Sequence, residues 1–277
     1  FGRITGGLAI VTVVVCMFFA AVSGSATATV AAVGTMVIPT MLRMGYSKTF
    51  VLALITTAGS LGVIIPPSIP MVIFGVATGA SVTSMFMGGF LPGILIGVAL
   101  ISYCYFHSKK AGINGLSDPL TKEQALKAIW DAKWALINPI LILGGIYLGV
   151  FTPTEAAAVA VGYALVCGLF FHRELTFKSL VGALKSSCST TGTAMIIIGF
   201  ATSFSKVLTL AHIPELVADG LLSFSSNKII ILLLICTLLL IVGCFMDATP
   251  AILILGPILL PVTQSIGVDV VHYGLIF

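Results

Sequence analysis

The chain has 277 residues, of which 58% are hydrophobic and 8% charged, with a formal net charge of +4 and a mean hydropathy of +1.19. A soluble domain carries about 25% charged residues, so this chain has too little polar surface to close a water-soluble globule of its length. Soluble enzymes, disordered chains and nucleic-acid binders are excluded, and a polytopic α-helical membrane protein remains; the long continuous apolar runs are unlike the short alternating segments of a β-barrel.

In chain order the apolar runs lie at 5–22, 28–42, 49–65, 69–79, 84–106, 134–151, 154–171, 188–210, 229–245 and 248–266. A spanning helix needs about 20 apolar residues, and several of these runs are shorter. Polar or Gly/Pro breaks separate 5–22 from 28–42, 49–65 from 69–79, and 229–245 from 248–266. Short paired runs predict re-entrant hairpins or helices broken in mid-membrane, which in transporters mark binding sites. The first such tip reads Val22-Ser-Gly-Ser-Ala-Thr-Ala-Thr29, four hydroxyls inside an apolar stretch. Where the chain turns, backbone carbonyls lose their helical partners and must find others. A desolvated sodium ion is one such partner, since a hard cation prefers oxygen, and Ser23 is the leading side-chain candidate. A helix-packing seam of small residues is the plain alternative.

The next break is Gly59-Ser-Leu-Gly-Val-Ile-Ile-Pro-Pro-Ser-Ile-Pro70. Pro66 and Pro67 remove two donors, so carbonyls a turn earlier go unpaired. The expected form is a half-helix, an extended stretch, and a second half-helix starting near Ser68. Its free N–H groups suit an anion and the unwound carbonyls a cation. Further on, 121–133 and 176–187 read as amphipathic segments along the membrane surface, the second with Thr176 as N-cap. Thr152-Pro-Thr-Glu155 reads as a capping box with Pro153 in the first turn. Asp247 is the one acid in the 229–266 run, and a carboxylate at membrane depth is a functional candidate by default; Thr249 stands beside it.

Orientation follows from Lys and Arg. Polar ends at 3, 43–48, 107–133 and 172–187 hold 11 of the 13 basic residues, leaving only Lys206 and Lys228 for the opposite side. The basic side is therefore read as cytoplasmic. On this topology 5–42 enters and returns from the cytoplasmic side and 229–266 from the outer side. A single offset of 222 then aligns Ala26 with Ala248, Thr27 with Thr249, Gly34 with Gly256, Pro39 with Pro261 and Gly45 with Gly267. Related units entering from opposite faces form an inverted repeat. The segments are 1–106 (first repeat), 107–187 (connector and two scaffold spans) and 188–277 (second repeat, truncated). The chain opens on Phe-Gly-Arg and stops inside an apolar run at Phe277, and is read as an internal fragment.

The sequence holds no HExxH, no GxxxxGK and no aspartate-rich diphosphate motif, so no enzyme is expected. The six cysteines are scattered and the four histidines lack ligand spacing.

FFAAVSGSATATVAAVGTMVIPTMLRMGYS, GSLGVIIPPSIPMVIFG, FLPGILIG, GVFTPTEAAAVAVGYAL and DATPAILILGPILLPV, in that order, resemble the large membrane subunit of TRAP (tripartite ATP-independent periplasmic) transporters. The resemblance implies an elevator-type fold with two re-entrant hairpins and broken helices in a bacterial inner membrane. It implies sodium-driven import of small organic anions such as C4-dicarboxylates, other carboxylates or sialic acids. Its partners would be a periplasmic substrate-binding protein and a small four-helix membrane subunit, separate or fused. Carried over, a first sodium site uses Ser23, Gly62, Ile65 and Pro67, largely through backbone oxygens. A second pairs Asp247–Thr249 with a Pro-Pro loop expected roughly 10–20 residues beyond Phe277. Ser25, Thr27, Ser68 and Thr249 are the expected substrate contacts. The alternative is a self-sufficient sodium–carboxylate carrier that needs no binding protein.

Overall fold

A computed structural model describes residues 4–113, 122–173, 175–224 and 227–277; Arg3 and Thr121, named above, lie outside the described residues. All regular structure among the described residues is helical. The chain runs through α1 (Gly7–Ser23), α2 (Ala26–Arg43), α3 (Lys48–Gly59), α4 (Leu61–Ile64), α5 (Ile69–Thr78) and α6 (Val82–Lys110). Then follow α7 (Lys122–Asp131), α8 (Lys133–Tyr147), α9 (Pro153–Val166) with a π-turn at Cys167–Phe171, α10 (Phe177–Leu210), α11 (Ile213–Phe224), α12 (Lys228–Gly243), α13 (Ala248–Ser265) and α14 (Val270–Ile276). Five of the described helices are long and apolar enough to cross a membrane, or six if α3–α4 and α5 count as one broken span. This is an all-α polytopic membrane protein.

Local chemistry sets the helix starts. Thr152 Oγ1 accepts from the Glu155 N–H at 3.3 Å while Glu155 Oε2 accepts from the Thr152 N–H at 2.8 Å, the expected capping box with Pro153 just inside. Thr176 likewise caps α10. The helix it starts does not stop at 187, however, but runs 34 residues to Leu210. Lys185, Ser186 and Ser187 lower the hydropathy there without supplying a breaker. A polar patch changes what a helix faces; only Gly, Pro or a competing cap ends it. The other surface segment is α7, with Leu126 and Trp130 exposed and the Lys133 ammonium 3.7 Å from the Trp130 ring centroid.

The chain packs as two units, Phe1–Ile69 with Gly89–Cys167, and Pro70–Gly88 with Gly168–Phe277. In the first, α1 lays Ala9, Ile10, Val13, Cys16 and Ala20 against Val33 and Met41 of α2 and Val51, Leu54, Ile55 and Ala58 of α3. These α1 positions recur every three or four residues, one face of a helix. Pairs α1/α2, α1/α3, α1/α4, α2/α3 and α8/α9 form the packing. On α6, Leu91, Leu95 and Val98 form an exposed apolar stripe, Leu91 at 75%, which suits lipid or another subunit rather than water.

In the second unit α13 is the centre, packed by α10, α11, α12 and α14. Leu259 and Val262 are buried there with Ile231 and Ile235 of α12 and Tyr273 of α14. Phe74 of α5 meets the Tyr273 ring edge-on at 5.4 Å. A side chain at Gly274 would strike Phe74 Cε1 at 2.5 Å, so glycine there lets α14 lie flush.

At the offset of 222 the correspondence extends from residues to geometry. α2 and α13 both have 18 residues, with bounds that coincide at that offset, as do their N-caps Ser25 and Asp247. Each ends in a left-handed glycine, Gly45 at φ 86° and Gly267 at φ 70°. The Tyr46 N–H donates to the Met41 carbonyl at 3.2 Å, and Val268 to Thr263 at 2.9 Å. The next helices then start one residue after Ser47 and Asp269, whose side chains cap them.

Candidate functional site

The first hairpin turns in two residues. Gly24 takes φ 60° and donates its N–H to the Ala20 carbonyl, closing α1; Ser25 is extended and its Oγ accepts from the Ala28 N–H, opening α2. Only glycine fits the bend, for two reasons. The left-handed conformation disfavours a Cβ, and a Cβ at Gly24 would lie 2.8 Å from the Pro67 carbonyl oxygen. The Gly24 carbonyl in turn accepts from the Ile69 N–H at 3.1 Å. The tip is thereby stitched to the break between α4 and α5.

That break has the expected form. α4 stops at Ile64, residues 65–68 are non-helical with a cis Pro66–Pro67 bond, and α5 restarts at Ile69. Pro66 and Pro67 return no N–H to the carbonyls of Gly62 and Val63, four residues earlier. Ser68 Oγ, 1% exposed, donates to the Val63 carbonyl at 2.6 Å and satisfies it. The Gly62 carbonyl receives no such bond from Pro66. Ile65 is buried, with its side chain filling the space beside Gly93, so its part in any site falls to its backbone.

Between tip and break, oxygens converge. Thr29 Oγ1 donates to the Ser25 carbonyl at 2.8 Å. Ser23 Oγ lies 3.0 Å from Thr29 Oγ1 and 3.3 Å from the Ser25 carbonyl. With the Thr29 proton committed to the Ser25 carbonyl, the Ser23 hydroxyl has Thr29 Oγ1 and that same carbonyl as acceptors, while its Oγ accepts from the Ser25 N–H at 3.4 Å and keeps a further lone pair. A Cβ at Gly62 would lie 2.6 Å from Thr29 Oγ1 and 2.7 Å from the Ser25 carbonyl, so the backbone of α4 passes directly over these oxygens. Ser23, Ser25, Gly62, Pro67 and Ser68 are therefore gathered in one place. Thr27 lies on the exposed side of the tip, its Oγ1 3.1 Å from Ser25 Oγ. In the sequence Thr29 is one hydroxyl among four. It is fully buried and links Ser23 to Ser25, and its place one helical turn after Ser25 was the available signal.

The second tip belongs to the second unit. Asp247 precedes α13 as its N-cap, exposed, and its carboxylate makes no capping bond. Thr249 is half-buried. Among the described residues no three His, Cys, Asp or Glu side chains gather as a metal cluster; the oxygens offered at the first tip are hydroxyls and carbonyls.

Comparison with known proteins fits this architecture. The family model of the tripartite ATP-independent periplasmic transporter, DctM component, matches residues 1–277. The chain is 46% identical over 275 residues to the isethionate TRAP transporter permease protein DctMQ of Oleidesulfovibrio alaskensis, covering 99% of this chain and 43% of that protein. It is 41% identical over 275 residues to the C4-dicarboxylate TRAP transporter large permease protein DctM of Pseudomonas aeruginosa, covering 99% and 64%. It is 36% identical over 273 residues to the sialic acid TRAP transporter large permease protein SiaM of Vibrio cholerae, again covering 99% and 64%. The chain thus spans between two fifths and two thirds of the length of these relatives. The order of hairpin, broken helix and long spans, together with this match over its whole length, places the chain in the DctM component family of tripartite ATP-independent periplasmic transporters.

Proposed function

We propose that this chain is the transport core of a sodium-coupled importer of small organic anions, the large permease subunit of a bacterial inner-membrane system. It works with a periplasmic substrate-binding protein and a small membrane subunit. Its relatives named for isethionate, C4-dicarboxylate and sialic acid transport bracket the substrate class. The observation that carries the coupling is the oxygen cluster of Ser23, Ser25 and Thr29 under Gly62. Neutral hydroxyl and carbonyl oxygens at 2.8–3.3 Å from one another are the ligand set a sodium ion prefers. The carbonyls of Gly62, Ile65 and Pro67 extend that set, and the co-transported ion is a substrate of the cycle.

The repeat at an offset of 222 supports two hairpins of opposite entry, 1–106 and 188–277 forming the inverted repeats and 107–187 joining them. Asp247 and Thr249 form the second tip, which holds a second sodium ion together with a Pro-Pro loop outside this chain. Ser25, Thr27, Ser68 and Thr249 face the anion, and the hairpins carry it across the membrane as an elevator. Each sodium ion crossing 100 mV yields about 2.3 kcal/mol. Two ions with a monoanion leave one net charge, about 2.3 kcal/mol, worth roughly fiftyfold accumulation from potential alone.

Uptake by proteoliposomes of the full-length protein with its small subunit and binding protein tests this reading. Uptake of labelled succinate or isethionate that needs both an inward sodium gradient and the binding protein is the expected result. Sodium-dependent uptake without the binding protein would instead indicate a self-sufficient carrier, and gradient-independent flux would end the coupled reading.

A further inference from the structure

The second unit holds a cavity of about 330 Å3 that the hairpin tips do not account for. One wall is apolar, with Val76 of α5 and Pro257 of α13; the other is one face of α10, with Thr202, Ser205, Lys206 and Thr209. Those four positions follow i, i+3, i+4, i+7 spacing, so hydroxyls flank the ammonium on a single helical face. The volume is at the small end of small-molecule sites.

The groups on this face differ in how far they are satisfied. Thr209 Oγ1 donates back to the Ser205 carbonyl at 2.9 Å. Among the described residues, Lys206 has no acceptor, and the Thr202 and Ser205 hydroxyls have no partner. The other cation assigned above to the outer side behaves differently: Lys228 Nζ donates to the Gly267 carbonyl at 3.0 Å. Lys206 and Thr202 are exposed, and an unpaired ammonium on a helix long and apolar enough to cross a membrane is costly unless it meets an anion or water; a lysine there only to reach the membrane surface requires no flanking hydroxyls.

We propose that Lys206, with Thr202 and Ser205, binds the anionic group of the transported substrate, a small carboxylate or sulfonate, in this cavity, as a stop on its passage separate from the contacts proposed at Ser25, Thr27, Ser68 and Thr249. The inference rests on the import reading for the word transported, but the binding site itself does not depend on sodium coupling. An ammonium with two adjacent hydroxyls supplies charge-assisted bonds to a carboxylate or sulfonate oxygen, and the Val76 and Pro257 wall fits the short carbon chain of such a molecule. In the sequence Lys206 is only a charge on the outer side; its significance comes from the cavity.

The test uses purified full-length protein with its small subunit, melted at increasing succinate or isethionate, with butane-1,4-diol as the uncharged control. Both anions should raise the melting temperature of the wild type and the diol should not. Lys206→Gln should raise the half-saturating anion concentration about tenfold to a hundredfold, while its melting temperature without anion stays near wild type. Lys206→Arg should keep the anion effect within about threefold, because charge and donors remain. In proteoliposomes Lys206→Gln should raise the anion KM by the same factor and leave the sodium half-saturation unchanged. An anion response unchanged in Lys206→Gln, or absent in the wild type, overturns the site. Anion binding lost in Lys206→Gln, in a wild type that shows no sodium-driven uptake, would support the site and end the import reading instead.

Discussion

The two hairpin tips are built on one plan and finished differently. Both open an 18-residue helix from an extended N-cap, and both helices close through a left-handed glycine. At the first tip that cap, Ser25, sits among hydroxyls under Gly62, and the adjacent Gly24 lies against the Pro67 carbonyl. At the second, Asp247 is exposed and a Cβ at Gly243 would meet nothing within 4 Å. The difference shows what the broken helix does. At the first tip α4 and the Pro-Pro break lie over the Ser25 and Thr29 oxygens, and no such contact is described for the second. The two tips also differ in charge, with hydroxyls and carbonyls at the first and the Asp247 carboxylate at the second.

Substitutions at glycine break this comparison most sharply. Gly62→Ala places a methyl 2.7 Å from the Ser25 carbonyl oxygen, where backbone on both sides leaves no rotamer to yield. We expect sodium-driven uptake to fall at least a hundredfold at normal expression, measured in the reconstituted system. Gly24→Ala combines a left-handed backbone with a 2.8 Å approach to the Pro67 carbonyl. It should cost about 1–2 kcal/mol in backbone strain before the clash is counted and reduce uptake about tenfold or more. Gly243→Ala, in open space, should leave uptake within twofold and slightly favour the helix.

Smaller changes sharpen the likeness of the two halves. Gly45 and Gly267 share a positive φ and have nothing within 4 Å of a built Cβ, so Gly45→Ala and Gly267→Ala should each destabilise by about 1–2 kcal/mol. Similar losses in thermal melts would support equivalent turns; a much larger loss at one would show that the halves diverge there. Thr152→Ala removes a cap far from either tip and should cost about 1 kcal/mol of stability with little change in KM.

Much of the fold was legible in the sequence because covalent chemistry dictates it. Proline lacks an N–H, so the break near 65–68 follows from two adjacent prolines, and Thr152 and Glu155 announce a capping box three residues apart. What the sequence concealed depends on packing. The polar dip at 185–187 reads as the end of a surface segment, yet α10 continues because nothing there competes with its backbone bonds. Thr29 is indistinguishable from Thr27 by composition; burial of one and exposure of the other follow from which face of α2 meets α4. Lys206 is a lone charge until α5 and α13 border the space beside it.

The oxygen cluster at the first tip is the central claim, and Ser23 tests it most directly. The measurement is the sodium concentration for half-maximal uptake, in wild type and Ser23→Ala, in proteoliposomes with the small subunit and binding protein present. Loss of one ligand oxygen should raise that concentration about tenfold while uptake at saturating sodium and the anion KM stay close to wild type. A sodium dependence unchanged by Ser23→Ala would contradict the account, because the hydroxyl would then serve only to pack the hairpin.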